Sequence, residues 1–288
     1  MTEETLKQIN ELMALYELEA SVKDIYVEGL IDRDIIRWFL RKQGLHDISV
    51  YTIDVVNIPD ALVAQYGLHS RSKRSKVIAL SYELAQSPII NANVLCIVDR
   101  DYEDFIPSVD SNDFLTLTDF NSIESYLIDN HTLDKFFTIV LGHLPVDCDI
   151  LMAQIKTVLK KLFFIRLANE LLLLRMEWVS PRKYIKVQRD SIIFEEEKFI
   201  DAYLLKNGKA THKNEFITQI REQIAKAPDD ERRLIRGHDL VEILHFISVK
   251  LKNKRDFGDS TFFGGAFLGC LEALDMTKYS LFQSLLSM

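Results

Sequence analysis

The sequence predicts an α/β fold, a parallel sheet flanked by helices, followed by a mostly helical C-terminal domain. Three observations carry this expectation. Short apolar runs rich in β-branched and aromatic residues alternate with amphipathic helical segments across residues 1–130. Two of those runs stop at a glycine or at acids, as buried parallel strands can. Beyond residue 130 long helical runs dominate and strand signals thin out. The expected division is 1–130 for the α/β domain with its N-terminal helix, and 131–288 for a helical domain that binds substrate or a partner. No repeat, Gly/Ser linker or low-complexity tract marks the border.

Residues 3–19 repeat apolar positions at helical spacing (Leu6, Ile9, Leu12, Met13, Leu15, Tyr16), which predicts an amphipathic scaffold or interface helix. The run Asp24-Ile25-Tyr26-Val27-Glu28-Gly29 reads as a buried strand closing on glycine, and a helix follows over 32–42 with Ile35, Ile36, Phe39 and Leu40 on one face. Then come a strand over 49–53, a helix over 72–86, and an apolar strand over 93–98 that runs into Asp99-Arg100-Asp101. A strand over 114–117 precedes Thr118-Asp119-Phe120-Asn121 and a helix carrying 122–128. Helices are expected over 149–176, 195–206, 213–225 and 239–252, with a strand or hairpin arm within 184–194. Acids at the carboxyl ends of parallel strands converge on one edge, where α/β sheets place ligands.

At 288 residues the chain suffices for one large domain or two modest ones, and 48% hydrophobic with 27% charged residues describes a globular protein. No apolar stretch approaches the roughly 20 residues of a membrane helix, and the start of the chain lacks the basic-then-apolar order of a secretory signal. A cytoplasmic protein without membrane association is expected. Cys96, Cys148 and Cys270 are far apart with no CxxC spacing, which argues against a disulfide framework or structural zinc. A net charge of −8 argues against indiscriminate binding to polyanions, so any nucleic-acid contact must use local patches.

Asp99 and Asp101 leave a buried strand together, separated by one residue. Such a pair suits a hard cation, since magnesium takes one or two carboxylates plus waters and substrate phosphates. A turn or helix cap is the structural alternative. Glu28 ends the first strand of the same sheet, is followed by a glycine that admits close approach, and precedes Asp32 by four positions. Alone, Asp32 also reads as a helix-start charge complementing the dipole.

Val27-Glu28-Gly29-Leu30-Ile31-Asp32 resembles the Glu motif of Toprim domains, and Val98-Asp99-Arg100-Asp101 resembles their Asp-x-Asp motif. The string Thr118-Asp119-Phe120-Asn121-Ser122-Ile123-Glu124-Ser125-Tyr126-Leu127 is similar to a segment of a Toprim subfamily encoded beside ABC-type ATPases in anti-phage loci, with Ser125 where asparagine is usual. The resemblance covers residues 20–130. It implies a Toprim-like sheet, Mg²⁺ (or Mn²⁺) held by Glu28, Asp99 and Asp101, and Asp32 and Glu124 as accessory catalytic acids. It further implies a nuclease effector that cleaves RNA, tRNA included, under control of a partner ABC-type ATPase, with a homodimer as an option. A DNA endonuclease of overcoming-lysogenisation type is the alternative, and a non-catalytic interaction subunit of an ATPase complex a third. Clustered acids repel and raise one another's pKa, which a cation relieves. Glu124 also reads as an ordinary first-turn acid capped from Asn121 or Ser122.

Phosphates need basic partners, and three clusters offer them: Arg71 to Lys76 with Lys73 and Arg74, then Arg182, Lys183, Lys186 and Arg189, then Lys250, Lys252, Lys254 and Arg255. The first opens a sheet helix and so can line the acidic edge; the second is interleaved with Tyr184, which suits backbone contacts and base stacking. Each reads equally as a solvated face. Arg236-Gly237-His238-Asp239 resembles a Gly-Lys/His-Asp segment of the same subfamily, making His238 a candidate substrate contact, while Asp239 is also an ordinary N-cap. The apolar run Phe257, Phe262, Phe263, Phe267, Leu268 suits partner packing or plain core. No P-loop string and no Gly-x-Gly-x-x-Gly occurs, so ATP hydrolysis by a P-loop is assigned to a partner.

Overall fold

The computed structural model describes residues 6–69, 72–87, 93–142, 146–188, 191–252 and 258–288. They form two compact units, one from Met1–Arg100, Ser108–Asp119 and Ala273–Met288, the other from Asp101–Pro107 and Phe120–Glu272. The division weaves where a single cut near residue 130 was expected.

In the first unit the order is β1 (Lys7–Gln8), α1 (Ile9–Leu18), β2 (Lys23–Val27), α2 (Leu30–Lys42), β3 (Ile48–Thr52), β4 (Val56–Asn57), α3 (Asp60–Gln65), α4 (Lys73–Gln86), β5 (Asn93–Val98) and β6 (Leu115–Leu117). The main sheet has the order β3-β2-β5-β6 and is parallel throughout, with Val27 opposite Thr52 on one side and Ile97 on the other. The first helix begins later than its periodicity suggested, because Lys7 and Gln8 pair with Val56 and Asn57 as a short parallel strand.

Strand alternation gives the sheet two apolar faces. Tyr26, Val94, Cys96 and Val98 pack with Leu12 and Tyr16 of α1 and with Val77, Ile78 and Leu84 of α4. Ile25, Val27, Leu95 and Ile97 alternate with them and are equally buried. On α2 the buried stripe is Ile35, Ile36, Phe39 and Leu40, and Phe39 meets Phe282 with ring centroids 4.8 Å apart. Burying each such side chain contributes roughly 1.5–3 kcal/mol, so a strand slipped by one residue would forfeit several of them. A polar cluster lies inside this core: Tyr16 Oη donates to Asp24 at 2.8 Å and lies 2.7 Å from Tyr26 Oη, and burial pushes both phenols well above their ordinary range.

The closing segment returns to this unit as helices Ala273–Met276 and Ser280–Leu286. Asp119 fastens it by accepting hydrogen bonds from the Ser280 and Leu281 amides at 3.0 and 3.1 Å.

The second unit is helical: α5 (Asn130–Lys135), α6 (Cys148–Leu171), the strands β7 (Ile185–Val187) and β8 (Ile192–Phe194), then α7 (Glu196–Lys206), α8 (Lys213–Ile224), α9 (Gly237–Lys252) and α10 (Ser260–Leu268). The strands pair antiparallel within the 184–194 stretch. Helix α6 stops short of residue 176 because Leu173 and Arg175 take left-handed conformations, φ +50° and +52°, and the Asn169 side chain captures the Met176 amide at 3.0 Å. Residues 122–128 do not make the expected helix. Ile123–Leu127 form a 3-10 turn whose residues are all buried, held by Ser125 Oγ donating to the Ile235 carbonyl at 3.0 Å. Phe263 and Phe267 are core residues against Phe136, whereas Phe262 is exposed; Phe257 lies outside the described residues. Among the described residues no helix is long and apolar enough to cross a membrane.

Candidate functional site

Chain connections single out one place on the main sheet. From β2 the chain moves outward to β3; from β5 it moves outward the other way to β6. The carboxyl ends of the neighbours β2 and β5 therefore form the topological switch point, where open α/β sheets leave a crevice for ligands. Glu28 follows β2 and Asp99 follows β5, so both acids stand at that point.

The local geometry ties them together. The Asp99 amide donates to Glu28 Oε1 at 3.1 Å, which holds the glutamate at the rim beside the aspartate backbone. Arg74, in the first turn of α4, donates from Nε to the Asp99 carbonyl at 3.3 Å. Arg100 is tethered twice to Thr118: its amide meets Thr118 Oγ1 and its Nε meets the Thr118 carbonyl, each at 3.0 Å. Thr118 itself extends the β5–β6 ladder, donating to the Val98 carbonyl at 3.0 Å. Asp32 turns back to accept the Gly29 amide at 2.9 Å, the helix-start role that its position allowed. A Cβ on Gly29 would meet that carboxylate at 3.0 Å, which explains the glycine after Glu28.

Asp101 and Glu124 belong to the second unit. Asp101 has φ +48°, a left-handed conformation that aspartate tolerates better than most residues. Asn121 clamps it, accepting the Asp101 amide at 3.0 Å and donating from Nδ2 to the Asp101 carbonyl at 2.7 Å. Arg236 lies in the field of Asp101: burial opposes its charge, but Tyr102, Asp239, Asp101 and Glu170 hold it protonated more firmly than usual. Glu124 is buried, accepts from Ser122 Oγ at 2.7 Å, and packs flat on Gly237, the first residue of α9. There its carboxylate complements the positive end of that helix.

The string from Thr118 to Glu124 is thus occupied residue by residue. Thr118 holds Arg100, Asp119 caps the closing helix, Phe120 lies under the Arg232 guanidinium at 3.7 Å, Asn121 clamps Asp101 and Ser122 holds Glu124.

Among the described residues no group of three or more His, Cys, Asp or Glu is placed to hold a metal ion, and the trio Glu28, Asp99 and Asp101 is not such a group. The donor chemistry at the switch point still suits a hard cation with few protein ligands. Magnesium keeps several waters and takes one or two carboxylates, and Glu28 and Asp99 follow adjacent parallel strands.

The basic clusters fare differently. Arg74 reaches the rim, Lys73 pairs with Asp54, and Lys76 shares the first turn of α4; Arg71 lies outside the described residues. Arg182 pairs with Glu242 at 2.8 Å, Lys186 with Glu195 at 2.8 Å, and Lys183 is exposed; Arg189 lies outside the described residues. Tyr184 is half-buried and meets Phe199 in a T-shaped contact, centroids 5.5 Å apart. Lys252 reaches the Leu141 carbonyl and Lys250 lies over Phe246, while Lys254 and Arg255 lie outside the described residues. His238 is exposed in the first turn of α9. Asp239 is no N-cap: it lies inside that first turn, buried, and takes both Arg166 Nε and a terminal guanidinium nitrogen at 2.9 and 2.8 Å. Sequence reasoning passed over Arg166, whose guanidinium also stacks on Trp178 at 3.4 Å and whose spacing betrays neither partner, and it read Asn121 as a helix cap where the side chain instead holds the Asp101 carbonyl.

In comparisons with known proteins, no family model matches the chain and no curated protein matches it.

Proposed function

We propose that this protein is a Mg²⁺-dependent nuclease that hydrolyses phosphodiester bonds at the switch point between β2 and β5. The observation that carries the reading is the Asp99 amide bonded to the Glu28 carboxylate at the carboxyl ends of adjacent parallel strands. Glu28 and Asp99 would supply oxygen ligands from the ends of β2 and β5. When bound, the cation activates a water and neutralises charge on the leaving oxygen. Arg74, anchored on the Asp99 carbonyl, sits beside these acids and meets the charge of a scissile phosphate. Arg100 is held against the end of β6 by its two bonds to Thr118. Asp32 and Glu124 act by position, the first fixing the backbone after Glu28 and the second bracing the start of α9.

The motif resemblance supports RNA, tRNA included, as substrate, an anti-phage effector role, and an ABC-type ATPase as the controlling partner. The lack of a P-loop string agrees with ATP hydrolysis residing in a partner. DNA is the alternative substrate.

The test is cleavage by the purified full chain, with and without its ATPase partner, of total RNA, supercoiled DNA and linear DNA in Mg²⁺. Glu28→Gln and Asp99→Asn are run alongside. RNA cleavage should fall at least a hundredfold in each variant, about 2.7 kcal/mol of barrier, with circular dichroism unchanged. Equal cleavage by folded variants and parent would refute the assignment, and cutting of DNA alone would replace the substrate.

A further inference from the structure

A second place in the first unit is chemically distinct from the acidic rim. Between α2 and the edge strand β3 lies a cleft of about 430 Å³, a volume within the usual range for small-ligand sites. Its floor is apolar, from Leu40, Leu45 and Val50 among others, and its polar lining includes Arg37, Arg41 and His46. Among the described residues no aspartate or glutamate lines it, in a chain whose net charge is −8.

The two arginines stand at i and i+4 on one face of α2, where like charges repel. Among the described residues no carboxylate pairs with either of them, although Arg33 one turn earlier is neutralised by Asp34 at 2.7 Å. Arg37 donates one terminal nitrogen to the Val50 carbonyl at 2.5 Å, which aims the guanidinium along the edge strand and leaves the rest of its fork for another acceptor. The nearest acid in sequence to His46 is Asp47, and that carboxylate is taken by Lys23 at 3.0 Å.

We infer that this cleft binds a nucleotide, with the Arg37 and Arg41 guanidinium groups on its phosphate and the apolar floor under its nucleoside. Guanidinium forks match the geometry of phosphate oxygens, and an anion between the two arginines relieves their mutual repulsion. The nucleotide comes either free or as the phosphorylated end of an RNA strand. The site is separate from the switch point: α2 starts at the rim and carries Arg41 roughly 16 Å along its axis toward the amino ends of the strands. It does not depend on the nuclease reading.

The experiment is isothermal titration of the full chain with AMP, with inorganic phosphate, and with a 5′-phosphorylated single-stranded RNA oligonucleotide. Parent, Arg41→Gln, Arg37→Lys and the double variant Glu28→Gln/Asp99→Asn are compared. Arg41 is exposed on the helix surface, so its variant should keep the parent's thermal midpoint. Saturable one-to-one binding of AMP, weakened at least tenfold by Arg41→Gln and by Arg37→Lys but unchanged in the double variant, is expected for a free nucleotide. The same pattern with the oligonucleotide alone identifies a strand end. Phosphate alone should bind more weakly than AMP. Absence of saturable binding for all three probes, binding indifferent to Arg41→Gln, or loss of binding in the double variant would each overturn the inference.

Discussion

Gly237→Ala tests how the second unit holds Glu124. A Cβ at position 237 would stand 2.5 Å from both Glu124 Cδ and Ser122 Oγ, and closer still to Glu124 Oε2. No atom pair tolerates that approach, so the carboxylate must move. It is buried, and its bond from Ser122 Oγ at 2.7 Å is lost when it does. Overpacking costs about 1–3 kcal/mol and a hydrogen bond to a charged group about 1.5–3 kcal/mol. Replacing glycine by alanine at a helix start returns less than the roughly 1 kcal/mol seen in a helix interior. The net expectation is a destabilisation of about 2 kcal/mol. It is measured by urea unfolding, followed by Trp178 fluorescence in a Trp38→Phe background so that the signal comes from the second unit. Adding Glu124→Ala should recover at least about 1 kcal/mol of that loss, because the clash partner is gone. An unfolding midpoint that stays put or rises in Gly237→Ala would show that Glu124 does not lie on this glycine.

Two further expectations concern the same unit. Arg166→Ala should destabilise it by about 3 kcal/mol, since Asp239 is left buried and charged without its bidentate partner; a loss under 1 kcal/mol by urea unfolding would mean the pair is dispensable. Asp230 is partly buried, which opposes its ionisation, yet hydrogen bonds and charge from Arg232, with Arg233 beyond, hold its carboxyl below the ordinary 3.8. Its contribution is therefore complete above that value and fades as pH falls through the lower folded-state pKa. Asp230→Asn should narrow the stability difference between pH 6 and pH 3, and an equal acid loss in both proteins would contradict the sign.

The sheet was legible where strand and partner share one apolar pattern. Asn93–Val98 is read to the residue because the five apolar residues after Asn93 are suited to burial on both faces. Glu28 and Asp99 were legible as strand-end acids for the same reason. Their neighbourhood was not, because strand order depends on which edge each crossover chooses, and no local pattern records that choice. Helix ends set by side chains far along the chain were equally hidden. The stop at Leu171 depends on Asn169 turning to the Met176 amide, and the 3-10 turn at Ile123–Leu127 depends on a carbonyl more than a hundred residues away, at Ile235.

The spacing of Asp99 and Asp101 suggests two equivalent ligands, and their backbones argue otherwise. Asp99 continues β5 in register with β2, so its amide is positioned by the sheet and its carbonyl by Arg74. Asp101 stands in a left-handed conformation fixed by Asn121, whose side chain and main chain both bond to it. The residues between Thr118 and Asn121 therefore do two different jobs within three positions, tethering Arg100 at one end and shaping Asp101 at the other. Removing the Asn121 amide releases Asp101 from its left-handed turn and leaves the bond between Glu28 and Asp99 untouched. Asn121 therefore fixes the backbone from which the Asp101 side chain projects.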